Sequence, residues 1–279
     1  MDAAKKKSLQ ITANKVRQLV IEGTYNAKCG HPGGSLSMTD MLTYLYFDKM
    51  NVNPDAPQMD DRDRFVLSKG HCAPALYGAL ALRGFFPTDY IKTLRKYGSF
   101  LQGHPDMKKI PGVDMSSGSL GQGISCAVGM ALSMKLQGKA NRVYTMLGDG
   151  ELEEGQVWEA AMFASHKKLD NLTVIVDNNN LQIDGAITEV NSPYPIVDKF
   201  VAFGFNTIEI DGHDFDAIEK AVDSTVEGKP LAIIMKTTKG KGVSFMENSC
   251  DWHGKAPNAE EYEIAMAELT AECARLEAE

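Results

Sequence analysis

Two polar turns carry residue types suited to holding a charged ligand. Asp149-Gly150 follows the apolar run RVYTML (142–147), and Asp177-Asn178-Asn179-Asn180 follows LTVIV (172–176). A glycine turn that opens a helix suits a phosphate, because free N–H groups and the helix dipole favour negative charge there. Asp149 alone would repel one. A divalent cation between the two removes the conflict, since Mg²⁺ takes one or two carboxylates, keeps some water and fills its remaining positions with phosphate oxygens. Asn179 then offers a neutral side-chain oxygen, and the turn after it a backbone carbonyl. The stretch Met146–Gly185 therefore reads as a metal–diphosphate clamp with Asp149 and Asn179 as ligands. The competing reading is that both are ordinary turns, rich in the residues turns prefer; their pairing at successive strand ends speaks against it.

Five of the six histidines sit beside glycine or proline: His31, His71, His104, His213 and His253. Loop imidazoles at a ligand edge donate hydrogen bonds to phosphates and hydroxyls and move protons near neutral pH. His166, in a Lys-bearing helical run, reads as solvated surface, and His213 as shaping the turn before its helix. Gly118-Ser119-Leu120-Gly121-Gln122-Gly123 has the spacing G-x-x-G-x-G with no strand before it, so it is a poor dinucleotide loop. It suits a turn that lets backbone approach a ligand. Lys236, Lys239 and Lys241 read as a solvated loop face, with an anion site as the alternative. Trp158 and Met162 read as core.

These turns need elements to position them. Periodicity predicts helices over 11–27, from the turn 29–35 to about residue 48, and over 73–84, 88–97, 124–136, 155–169, 193–203, 214–227 and 259–278. Strands are predicted at 65–68, 142–147, 172–176, 205–211 and 230–237, with long irregular segments at 98–119 and 238–258. Strand and helix alternate through the second half, which gives an α/β class: a doubly wound, mainly parallel sheet flanked by helices. Ligands in such sheets bind at the carboxyl ends of the strands. A right-handed crossover brings the two polar turns together there. With no composition break, linker or repeat, residues 1–279 form a single domain in this reading.

Composition sets the outer bounds. A chain of 279 residues with 43% hydrophobic and 24% charged content is an ordinary globular protein. Its net charge of −8 argues against nucleic acid as partner. The apolar runs are too short and too interrupted to span a bilayer. MDAAKKKSLQ has no apolar run behind its lysines, so no secretory leader is expected. Five cysteines without CxxC spacing fit reduced thiols and a cytoplasmic location.

Taken together, the motifs resemble a known family. GDGELEEGQVWEA and VDNNNLQIDG resemble the thiamine diphosphate motif. KCGHPGGSLSM, FVLSKGH, GHPD, PGVDMSSGSLGQG and DWHGKAP, in consistent order over nearly the whole chain, resemble the N-terminal half of transketolase. The resemblance implies the thiamine diphosphate-binding fold, with Asp149, Asn179 and the carbonyl of Leu181 holding Mg²⁺ or Ca²⁺ and Gly150 contacting phosphate. It implies that His71 and His253 lie near the diphosphate. His31 and His104 would face the donor sugar hydroxyls, so that His31, His104 and His253 form the catalytic set. Gly118 and Leu120 would line the aminopyrimidine and thiazolium. Glu154, counted with the cofactor-binding residues, and Glu159 match acidic positions between paired active sites, Glu159 in a supporting role. Ser119 departs from the proline common at its position. The family's second half, which supplies a glutamate to the pyrimidine ring and arginines to sugar phosphates, has no counterpart here.

The expectation is thus the N-terminal subunit of a split transketolase of carbohydrate (pentose phosphate) metabolism. It would move a two-carbon ketol unit from a ketose phosphate to an aldose together with a C-terminal subunit, as a heterotetramer of two such pairs. Alternatives are a subunit related to deoxyxylulose phosphate synthase or dihydroxyacetone synthase, a non-catalytic cofactor-binding subunit, and a metal-dependent phosphohydrolase.

Overall fold

A computed structural model describes residues 1–278. The first half is mostly helical: α1 (Ala3–Ala27), α2 (Pro32–Ser37) and α3 (Thr39–Tyr44), strand β1 (Arg64–Leu67), then α4 (Ala73–Arg83) and α5 (Gln122–Leu136). The second half alternates β2 (Val143–Gly148), α6 (Gly155–His166) and β3 (Leu172–Asn178), followed by a small hairpin of β4 (Leu181–Gln182) and β5 (Gly185–Ala186). Then come α7 (Ile187–Val190), α8 (Ile196–Ala202), β6 (Asn206–Asp211), α9 (Phe215–Asp223), β7 (Leu231–Lys236) and α10 (Ala259–Ala278).

The five long strands form one sheet in the order β1-β2-β3-β7-β6, every neighbouring pair parallel. Parallel strands buried on both faces must be apolar on both, which is why β2, β3 and β7 read as near-continuous apolar runs. Tyr144, Met146, Ile175, Ile233 and Met235 pack toward a layer that includes α1, α3, α4 and α9. Val143, Leu147, Val174, Val176 and Ile234 pack toward α5, α6 and α8. Helices therefore cover both faces, as a doubly wound sheet requires.

Local departures from the sequence reading have visible causes. The first helix begins at Ala3 rather than residue 11, because Asp2 caps it by accepting from the Lys5 N–H at 2.8 Å. Lys5 and Lys6, polar in pattern, are engaged by Asp48, Asp214, Asp216 and Glu219. The glycine turn 29–35 does not precede a helix but starts one: Pro32 opens α2, where its missing N–H costs nothing. Helix 88–97 shrinks to 3₁₀ turns over Thr88–Thr93, since Pro87 offers no side-chain cap and Arg95 takes a left-handed backbone (φ 58°). Trp158 is partly buried against Phe200 and Phe203, but Met162 is 61% exposed and is not core. All five cysteines are free thiols. No helix among the described residues is long and apolar enough to cross a membrane.

The irregular segment before α5 is held down by charge. Buried Asp114 pairs with Arg62 at 3.0 Å and accepts the Phe65 N–H at 2.9 Å, while Ser117 donates to the Leu67 carbonyl at 2.6 Å. The loop is thereby fastened along β1, beside the functional edge. Asp114→Ala leaves Arg62, 2% exposed, as an uncompensated buried cation. The expected loss in urea unfolding is about 3 kcal/mol, the usual penalty for breaking a buried pair. Asp60→Ala, which removes only the exposed partner of Lys139, is expected to leave the midpoint unchanged.

Candidate functional site

The carboxyl ends of four adjacent strands meet at one cavity. The turn after β1 supplies Lys69 and His71, that after β2 Asp149, Gly150 and Glu151, that after β3 Asn179, and that after β7 Lys239. Loops add His31, Gly34, Gly118, Leu120 and His253, and the hairpin adds Leu181, Gln182 and Ile183, around a volume of about 280 Å³.

Beneath the lining lies Asp177, buried at the end of β3. Its carboxylate pairs with Lys69 and accepts from Ser37 Oγ at 2.5 Å, from Thr237, and from Asn179 Nδ2 at 3.1 Å. Burial opposes ionisation, but the Lys69 ammonium and these donors outweigh it and hold the carboxyl below its usual range. The bond from Nδ2 also fixes the Asn179 amide, whose Oδ1 accepts the Leu181 N–H at 3.2 Å.

Asp149 is in the opposite condition. It is 3% exposed and accepts from the Gly150 N–H (2.9 Å), the Asn180 N–H (2.6 Å) and Asn178 Nδ2 (3.0 Å), with no cation paired to it among the described residues. Burial, with the nearby Asp177 charge, pushes its carboxyl up to about 6. Among the described residues no three His, Cys, Asp or Glu side chains cluster as a metal site. The candidate set here is instead one carboxylate and two neutral oxygens, those of Asn179 and of the Leu181 carbonyl, which is the donor chemistry of Mg²⁺ or Ca²⁺.

Two lysines line the inner wall, both buried. Lys69 is committed to Asp177 and to the Gly34 carbonyl (2.9 Å). Lys239 donates to the Leu181 carbonyl at 2.9 Å and lies 3.1 Å from His253 Nδ1, with no carboxylate partner among the described residues. The expectation of a solvated lysine face therefore holds for exposed Lys236, paired with Glu209, but fails for Lys239. The chain turns inward after β7. Gly240 has φ +80°, and a Cβ there would meet the Met246 carbonyl oxygen at 2.2 Å. The Thr238 N–H is held at 2.9 Å by His213 Nε2, itself braced at 2.7 Å by Asp40, so His213 brackets the lysine loop.

The histidines form the outer part. The rings of His31, His71 and His253 lie 5.1–5.6 Å apart. Burial, then the neighbouring cations, depresses His31 and His253 to about 4 and His71 well below 6.5. All three are neutral at pH 7. His253 accepts from Lys239 at Nδ1, which leaves its proton on Nε2; His31 Nδ1 is buried without a partner among the described residues. His104, lowered by burial and by Arg95, stands just outside the cavity lining, 3.2 Å from where a Gly118 Cβ would sit. Glu154 and Glu159 are exposed and line no part of the cavity.

The cavity combines buried charged groups with an apolar, exposed rim. An uncompensated carboxylate, an unpaired lysine and the Gly150 turn occupy the inner end, and Gly118, Leu120 and Ile183 the outer end. In the sequence Lys69 is not singled out, Asp177 is one residue of a polar turn and Lys239 one of three lysines for which an anion site is only the alternative. FVLSKGH contains the only signal for the first, and for the others burial alone distinguishes them from turn and loop residues.

The model of the family described as "Transketolase, thiamine diphosphate binding domain" matches residues 8–275. The chain is 47% identical over 266 residues to the 6-deoxy-6-sulfo-D-fructose transketolase subunit SqwG of Clostridium sp. (strain MSTE9), covering 95% of this chain and 97% of that one. It is 44% identical over 275 residues to one of the subunits of the apulose-4-phosphate transketolase of Phocaeicola vulgatus, covering 98% and 97%. Of solved structures, the transketolase from Campylobacter jejuni superposes with a TM-score of 0.85 at 32% identity, covering all of this chain and 48% of that one. The Leishmania mexicana transketolase gives 0.86 at 30% identity, covering 97% and 46%. The chain thus spans nearly the whole of the subunit relatives and less than half of the solved transketolases.

In ligand-free protein, the ring signals of His31 and His253 are expected to titrate at about 4 by NMR rather than near 6.5. Unfolded histidines bind protons near 6.5, so the folded state holds fewer protons between those values. The stability these neutral rings contribute is present above about 6.5 and is lost as pH falls toward 4. Urea midpoints at pH 5 and 7 check this, and His31→Gln is expected to show the shallower dependence.

Proposed function

The chain belongs to the transketolase family, whose thiamine diphosphate-binding domain it matches, and we propose that it acts with a separate C-terminal chain to move a two-carbon ketol unit from a ketose phosphate to an aldose. The observation that carries this reading is the meeting of Asp149, Asn179, Lys239 and three neutral imidazoles around one cavity at four parallel strand ends. The relatives of matching length support a two-chain enzyme, since the name of each describes one part of a larger transketolase. Their names describe sugars ending in a sulfonate or a phosphate, and a keto sugar with such an anionic end is the substrate class proposed here. The chain is proposed to be one domain, cytoplasmic, in a heterotetramer of two pairs in which Glu154 and Glu159 face the second site.

When bound, thiamine diphosphate supplies the nucleophilic carbon and the electron sink that C–C cleavage needs. The residues of this chain bind, orient and manage protons. Asp149, Asn179 Oδ1 and the Leu181 carbonyl would hold Mg²⁺ (or Ca²⁺), which supplies the missing counter-charge to Asp149. Lys239, which now donates to the Leu181 carbonyl, and the Gly150 turn would then be available to diphosphate oxygens, with His71 beside them. Gly118 and Leu120 would line the rings. His31, His104 and His253 would face the sugar hydroxyls, and their neutrality suits them to donate at one ring nitrogen and accept at the other. The glutamate for the pyrimidine ring would come from the partner chain.

Ketol transfer measured with thiamine diphosphate, Mg²⁺ and the co-purifying chain tests the assignment. Asp149→Ala is expected to lower activity roughly a hundredfold or more, and chelation of the metal to do the same to wild type. Undiminished activity in the variant would remove Asp149 from the metal site.

A further inference from the structure

Glu151 lies two residues beyond Asp149 in the acidic run GELEEG, whose other two acids are at least partly exposed. Glu151 itself is 2% exposed. Its Oε1 accepts from Ser68 Oγ at 2.5 Å and from the Gly121 N–H at 2.8 Å, and its Oε2 from the Gly148 N–H at 3.1 Å. The three donors belong to three separate segments: the turn after β1, the N-terminus of α5, and the last residue of β2. A carboxylate accepts at both oxygens without bringing a proton of its own, so it can join three donors where an amide cannot. Burying such a group costs stability unless it is fully bonded, so a buried acid that ties three segments to one cavity wall points to a role at that wall.

Ser117 fastens the chain just before Gly118 to the Leu67 carbonyl, but within Gly118–Gly121 few other bonds hold the turn. Gly121 has φ +80°, and a Cβ there would lie 2.8 Å from Glu154 Cβ, so no side chain can wedge the turn. Its remaining local bond, Gln122 N–H to the Ser119 carbonyl, is 3.4 Å long. Gly118 and Leu120 of this segment line the outer half of the cavity, and Gly148 the inner side. We propose that Glu151 is a positioning residue: it sets the wall that receives the ring end of the thiamine cofactor, independently of the metal–diphosphate anchor. This rests on the functional reading above, and the two can fail separately.

The test compares two probes binding to the native complex with Mg²⁺ present. Thiamine diphosphate engages both anchor and wall, whereas inorganic pyrophosphate engages the anchor alone. Glu151→Gln keeps the side chain's length but turns an NH₂ toward either the Gly148 or the Gly121 amide, so one link becomes a pair of facing donors. The expected result is thiamine diphosphate affinity lower by about tenfold, the order of the cost of leaving a buried donor unpaired, with pyrophosphate affinity unchanged. In turnover, the apparent KM for cofactor is expected to rise by a larger factor than kcat at saturating cofactor falls. Ser68→Ala, which deletes one hydroxyl and keeps the carboxylate, is expected to show a smaller shift of the same kind and serves if Glu151→Gln folds poorly. Equal weakening of both probes, or of neither, in both variants overturns the positioning role. A wild-type complex that binds pyrophosphate but not thiamine diphosphate overturns the functional reading and the positioning role with it.

Discussion

The carboxylate of Asp177 is the point on which the site depends. Its partners, Ser37, Lys69, Thr237 and Asn179, come from α2, from the turns after β1 and β7, and from its own turn after β3. One buried anion therefore fixes the relative places of three strand ends and the glycine-started helix. A buried ion pair is a weak source of net stability, since desolvation offsets much of the attraction. Its worth here lies in arrangement, because displacing the β1 end would leave a charge unpaired in the interior and displacing the β7 end would remove a hydrogen bond from the buried anion. The polar floor is as specific as the apolar sheet beneath it.

That floor divides the cavity's charges into a satisfied pair and an unsatisfied remainder. Lys69 and Asp177 neutralise each other. Asp149 and Lys239 are buried close by without pairing, and each is pushed toward its uncharged form by burial, Asp149 upward and Lys239 downward. A metal and a diphosphate would cancel both at once, the cation meeting Asp149 and the phosphate meeting Lys239. The imidazoles are depressed first by the same burial, then by neighbouring cations, Arg95 foremost for His31 and Lys239 for His253. Binding and proton handling thus share one physical cause.

How far the sequence exposes this depends on the kind of signal. Strand positions are plain because a parallel sheet buried on both faces leaves unbroken apolar runs such as LTVIV, and the polar turns at their ends follow from the topology. Asp149 and Asn179 stand out as acid and amide where a strand stops. Helix ends are less legible: the 88–97 pattern lacks a cap, and the N-terminal lysines of α1 look like a tail because their acidic partners are distant in sequence, Asp48 and residues of α9 and the turn before it. Lys239 is hidden for a related reason. Nothing in KTTKGKG tells which lysine turns inward, since that is decided by the clash a side chain at Gly240 would have with Met246 and by the grip of His213 on Thr238. The acids of GELEEG are equally alike in sequence, and only the donors of three other segments select Glu151.

The same contrast separates the two ends of the cavity. At the inner end every wall is supplied by a strand end, and each polar group has its bond or an evident counter-charge to await. At the outer end the walls are Leu120 and Ile183, both exposed, with His104 standing back from the lining. Apolar surface left open beside a set of neutral, partly buried imidazoles is a poor place for a reactive centre that water must not reach. The arrangement therefore suits an anchor whose outer end is closed by other protein surface.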